Sequence, residues 1–70
     1  MDKKSFGLNL AKVRVSKNIS AYELSLRIGK TSNYIHKVET AKIEVGISTI
    51  FEICSALEID PRDLFTCESA

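Results

Sequence analysis

Twenty residues near the middle of the chain constrain it most. Ser20 is followed by Ala21-Tyr22-Glu23-Leu24-Ser25-Leu26-Arg27-Ile28, then Gly29, then Lys30 and a second stretch that runs to Thr40. Ser20 with Glu23 three residues on is a capping box, the sequence mark of a helix start. Leu24 and Ile28 give that helix an apolar face, and Gly29 stops it, because only glycine turns through positive φ without steric cost. Thr31 can cap the next helix, in which Tyr34, Ile35 and Val38 form the inward stripe while Ser32, Asn33, His36 and Lys37 point elsewhere. That outward face is wholly polar.

Apolar spacing predicts helices on both sides of this pair. Phe6, Leu10 and Val13 follow the i, i+4, i+7 rule and predict a first helix from about residue 5 to 17, broken by Asn18 and Ile19. Ile47, Ile50, Phe51, Cys54 and Leu57, with Ile53 beside them, predict a fourth and most apolar helix, with Glu52 and Glu58 facing out. Asp60-Pro61-Arg62-Asp63 reads as an N-cap, a first-turn proline and an acid at the third position, so a brief fifth helix should carry Leu64 and Phe65 inward. Residues 66–70 read as a frayed tail. With one proline and three glycines in 70 residues, the chain is all-α, five helices in a single domain spanning residues 1–70, with its core at about 6–65.

Two short helices joined by a three- or four-residue turn containing glycine form a helix-turn-helix unit, which makes demands at fixed offsets. Gly29 meets the turn, Ser25 is small where the helices approach, and Leu24, Ile28, Ile35 and Val38 supply the seam. Lys30 departs, since the position after the turn glycine is usually apolar; its stem is expected to pack while the ammonium reaches out.

Charge is divided along the chain. Residues 1–42 hold nine of the ten Lys and Arg against Asp2, Glu23 and Glu39, a local charge of +6; residues 43–70 hold Arg62 against six acids, a local charge of −5. The division fits a basic half facing nucleic acid and an acidic half facing solvent or another subunit, and it fits equally well charges that merely solvate helices.

Residues 6–65 resemble the XRE family, the Cro-like and lambda-repressor-like helix-turn-helix DNA-binding domains. The ordered set that carries the resemblance is Arg14, then Ser20-Ala21-Tyr22-Glu23-Leu24-Ser25, Gly29, Ile35, Val38 and Glu39, closed by Ile50, Ile53, Leu57, Leu64 and Phe65. It implies a bacterial or phage-type transcriptional regulator whose third helix reads the major groove of double-stranded DNA. It also implies an ion pair between Arg14 and Glu39 and base-reading roles for Ser32, Asn33 and Lys37. Their chemistry agrees: Asn bonds bidentately to adenine, Lys donates to guanine, and Ser adapts to either. Thr31, Thr40 and Lys42 are implied as phosphate contacts, joined by the start of the second helix at Ser20 and Ala21, and by His36. For Tyr34, core packing stands ahead of a thymine or phosphate contact.

Two positions depart from the family. Ala21 stands where a Gln often reaches a phosphate, and Ala41 stands where a Gly often ends the recognition helix, so the chain is expected to leave that helix by another geometry. A chain this short buries only roughly 60% of its unfolded surface. With the resemblance, that thin core implies a homodimer, with Leu64 and Phe65 as interface candidates on a two-fold symmetric operator.

Other readings fail on their residue types. Gly29-Lys30-Thr31 lacks the glycine that a phosphate-binding loop requires five residues earlier, whose place is taken by Leu24, and no strand precedes it. With His36 as the single histidine, no catalytic set converges, no metal-ligand spacing exists, and neither a cofactor nor a small-molecule ligand is expected. Cys54 in an apolar stripe reads as inert packing, and Cys67 in the tail is the better candidate for reactivity. Asn18-Ile19-Ser20 matches a glycosylation acceptor, but nothing before it resembles a secretory signal, and no apolar run approaches membrane-spanning length. A cytoplasmic protein is expected. The rival reading is a small helical module that keeps this shape but binds a protein partner through Leu26, Phe65 or its acidic second half.

Overall fold

The computed structural model describes residues 2–65, so the tail expectation and Cys67 lie outside the described residues. Five helices follow in order: α1 (Lys3–Ser16), α2 (Ala21–Arg27), α3 (Tyr34–Glu39), α4 (Ile47–Leu57) and α5 (Arg62–Phe65). No strand occurs among the described residues. The first helix begins two residues earlier than its apolar spacing predicts, because Asp2 caps it: the Ser5 N–H donates to the Asp2 carboxylate at 2.8 Å. That hydrogen bond favours the charged form and holds the Asp2 carboxyl below its ordinary pKa.

Four helices end in the same way. After α1, α2, α3 and α4 the chain passes through a left-handed residue, namely Asn18, Gly29, Ala41 and Glu58. Each end carries the paired backbone bonds of a Schellman motif; after α3 the Ala41 N–H donates to the Val38 carbonyl at 3.1 Å and the Lys42 N–H to the Lys37 carbonyl at 2.9 Å. The expectation that Ala41 would force a different exit is therefore corrected. Alanine takes the glycine conformation, φ 61°, because the two hydrogen bonds offset the cost of its Cβ.

Phe6, Leu10, Leu24, Ile35, Val38, Ile53, Cys54, Leu57 and Leu64 form one buried core, drawn from all five helices. Helix α1 packs against both α3 and α5, and α2 packs on α3. Gly7 makes the first of these contacts so close that a Cβ there would stand 2.5 Å from the Glu39 carbonyl oxygen and 2.9 Å from that of Val38. The backbones of α1 and α3 thus meet without a side chain between them. Asn9 donates to the Leu64 carbonyl at 3.0 Å and ties down α5, whose start is capped by the Arg62 N–H donating to Asp60 at 3.0 Å. The Cys54 thiol is buried, and desolvation raises its pKa, helped by Asp60 and Asp63, so it is packing rather than a nucleophile.

Three expectations for the second half are corrected. Ile47 is 70% exposed and Phe51 55%, because α4 docks through Ile53, Cys54 and Leu57 and turns the Ile47–Phe51 row away. Phe65 is 45% exposed rather than inward, its ring leaning on Phe6 at 5.4 Å between centroids. Leu64 is wholly buried within its own subunit, which removes it as an interface residue.

Candidate nucleic-acid interface

Ser20 caps α2 as expected, its hydroxyl accepting from the Glu23 N–H at 3.0 Å. The other half of the predicted capping box is not made. The Glu23 carboxylate pairs instead with Arg27 at 2.6 Å, one turn along the helix surface. Gly29 turns with φ 76°, and Lys30 behaves as its amphipathic chain allows: half-buried, it holds its ammonium 5.5 Å from the centroid of the Tyr34 ring.

The second helix positions the third through Ser25. Its hydroxyl is completely buried, donates to the Ala21 carbonyl at 2.8 Å and accepts the Ile35 N–H at 2.9 Å. That bond satisfies a backbone donor of α3 which no turn of its own helix could reach. At the far end of α3 the Arg14–Glu39 pair forms as the resemblance implies. Arg14 donates from Nε to Glu39 Oε2 at 2.7 Å, from Nη2 to Oε1 at 3.1 Å, and from Nη1 to the Ile19 carbonyl at 2.8 Å. The pair is largely withdrawn from water, with side-chain exposures of 16% and 10%, and the Glu39 carboxylate raises the Arg14 pKa further above its ordinary value. The six-residue helix α3 is therefore held at both ends by polar contacts, with Ile35 and Val38 as its buried seam.

Thr31 does not cap α3. The helix starts at Tyr34 with Asn33 in the cap position and no side-chain cap bond, while the Tyr34 N–H donates to the Thr31 backbone carbonyl at 3.0 Å. The tight turn satisfies that donor through the backbone, leaving the Thr31 hydroxyl to reach Asn33 Oδ1 at 3.4 Å. Ser32, Asn33, His36 and Lys37 are all exposed, together with Thr31, Thr40 and Lys42. Thr40 has its hydroxyl turned back on the helix, donating to the His36 carbonyl at 2.8 Å. Tyr34 is partly buried against the core, and so is Ala21, whose methyl offers no hydrogen bond. The face carries His36 and Lys37 and no acid of its own, since Glu39 is engaged by Arg14. Such a surface offers donors and acceptors for base edges, flanked by groups suited to phosphates.

Sequence reasoning missed two residues here. The Gly7 approach that seats α1 on α3 has no local signature, because an isolated glycine in a helical stretch is otherwise only a weakness. Tyr22 lies within the family motif, yet it is 60% exposed, and its place outside the Leu24–Ile28 stripe marks it as a surface residue.

Residues 10–64 match the helix-turn-helix family. The chain belongs to the XRE family of helix-turn-helix DNA-binding domains. Membership makes it a DNA-binding transcriptional regulator by type. Among solved structures it is similar to the restriction-modification controller protein C.AhdI from Aeromonas hydrophila, with 33% identity and a TM-score of 0.86 over 91% of this chain and 97% of that one. It shares its fold with the clp gene regulator ClgR from Corynebacterium glutamicum, at 22% identity and a TM-score of 0.85 over 90% of this chain and 67% of that one. Comparison with curated proteins gave no match. No described helix is long and apolar enough to cross a membrane, and no described cluster of His, Cys, Asp and Glu could hold a metal ion.

Proposed function

We propose that this XRE-family chain is a sequence-specific regulator that occupies an operator in cytoplasmic DNA, acting as a repressor, with α3 in the major groove. The observation that carries the reading is the outer face of α3: polar to basic throughout, free of acids, and fixed at both ends by Ser25 and by Arg14–Glu39. Ser32, Asn33 and Lys37 read bases. Thr31, His36 and Lys42 meet phosphates beside the groove, Thr40 joins them by donating its hydroxyl O–H once it releases the His36 carbonyl, and Ser20 and Ala21 present their backbone to the same strand. Tyr34 positions this row from beneath.

A homodimer fits the second half. Ile47, Phe51 and Phe65 expose apolar surface on α4 and α5, which an isologous contact between two copies would cover. The identity with a restriction-modification controller over nearly all of both chains favours a controller role of that kind. Selection of bound duplexes from a random library at near-physiological salt tests both parts. Enrichment of a palindrome with half-sites about 10 bp apart is the expected result. An unenriched library, with binding absent or collapsing as salt rises, would turn the reading toward a protein-interaction module.

A further inference from the structure

Helix α2 has two flanks, and the structure tells them apart. Ser25 accepts the Ile35 N–H at 2.9 Å, so α3 lies on the Ser25 side. Arg27 and Ile28 line a shallow hollow with Glu52, Ser55 and Ala56, so α4 lies on the other. Tyr22 stands three residues before Ser25 and four before Leu26, on the flank that borders α3. Glu23, the nearest acid, is turned round the helix and held by Arg27 at 2.6 Å, leaving the Tyr22 flank without negative charge.

The Tyr22 phenol is 60% exposed and makes no hydrogen bond to any described residue. Packing does not account for it: the core takes Ala21, Leu24, Ser25 and Ile28 from this helix and leaves Tyr22 outside. Ala21, its neighbour, has no side-chain donor. A phenol carries its O–H at the end of a long rigid arm with only two rotatable bonds, which costs little entropy to order against a ligand. Beside a polar, acid-free recognition face, the group that such a donor suits is a phosphate oxygen of the DNA backbone at the groove's edge.

We propose that Tyr22 is a positioning residue that donates its phenol O–H to a backbone phosphate and so sets the depth and tilt of α3 in the groove. The contact belongs to the side-chain hydroxyl and not to the end of the short helix that carries it, and it rests on the DNA-binding reading above. The test compares the wild-type chain with Tyr22→Phe, which deletes only the donor and keeps the ring. On a duplex enriched from the random library, affinity of the variant falls about tenfold, the size of one hydrogen bond to a charged acceptor. The same loss is expected on a scrambled duplex. The salt dependence is unchanged, since a neutral donor releases no counterion, and so is the melting temperature. In duplexes carrying single methylphosphonates, one position weakens the wild type but not the variant, which locates the contacted phosphate. Equal affinity of variant and wild type on both duplexes overturns the proposal, and so does a loss confined to the enriched sequence, which would make Tyr22 a base reader. If the wild type binds no duplex at any salt, the DNA-binding reading itself fails before any variant is compared.

Discussion

Helices α3 and α4 both contribute to one small core and solve opposite problems. The third buries only Ile35 and Val38 across six residues, too little to hold a helix of that length, and is fixed instead by contacts from outside it: hydrogen bonds from Ser25 at its start and from Arg14 to Glu39 at its end, and the close approach of the bare Gly7 backbone. The fourth buries Ile53, Cys54 and Leu57 and still has Ile47 and Phe51 to spare. A short helix anchored by polar contacts leaves its whole outer face available to a wet, charged ligand. A longer helix with surplus apolar rows suits another protein surface. The difference fits the two surfaces proposed above, one for nucleic acid and one for a second subunit.

The severest way to break this arrangement is Gly7→Ala. Its methyl would lie against carbonyl oxygens that cannot move without shifting α3, and a destabilisation of about 3 kcal/mol is expected, with loss of DNA binding in whatever folded population remains. Urea unfolding measures it; an unchanged midpoint would show that α1 and α3 are not in backbone contact. Next comes Glu39→Ala, which strands Arg14 in a largely dry site and should cost about 2–3 kcal/mol, lowering the melting temperature. Full thermal stability in that variant would mean the pair is ornamental and that α3 is held from its N-terminal end alone.

The exposed faces separate by assay. Asn33→Ala should cost about 1–3 kcal/mol on the preferred duplex and relax preference at one base position, whereas Lys42→Ala should weaken every duplex and reduce the salt slope by about one. Uniform loss across sequences for Asn33→Ala would move that residue from bases to backbone. On α4, Phe51→Ser should change the stability of the subunit by no more than about 0.5 kcal/mol, since the ring is mostly in water, while shifting sedimentation toward monomer. If sedimentation is identical for both chains, the Ile47–Phe51 row is not the dimer contact. One variant should be a gain. Ala41→Gly relieves a left-handed alanine at the close of α3 and should stabilise by about 1 kcal/mol, read as a higher urea midpoint.

Much of the recognition half was legible because its signals are local. A capping serine, a turn glycine and a polar face at helical spacing each involve residues within a turn or two of one another, and Ser20, Gly29 and the row from Ser32 to Lys37 lie where that spacing puts them. The second half was legible only as a helix. Ile47, Ile50, Phe51, Ile53, Cys54 and Leu57 cover more of α4 than one docking face can use, and nothing in the order of those residues says which row is spare. Phe65 and Leu64 pose the same ambiguity on α5, and the Asn9 contact to the Leu64 carbonyl shows that the choice was made by a helix 55 residues away in the chain.

By itself, then, the sequence determined the number and order of the helices, the turn between α2 and α3, and the polarity of the face that α3 presents. These follow from backbone sterics, capping and amphipathic spacing, which act over a few residues. Only the tertiary structure decided that Gly7 must be bare, that Leu64 goes in while Ile47 and Phe51 stay out, and that Ala41 accepts a glycine's conformation. Those outcomes depend on which surfaces meet once the chain has closed, and each is set by an atom contributed from a distant element or by paired bonds that outweigh a local preference.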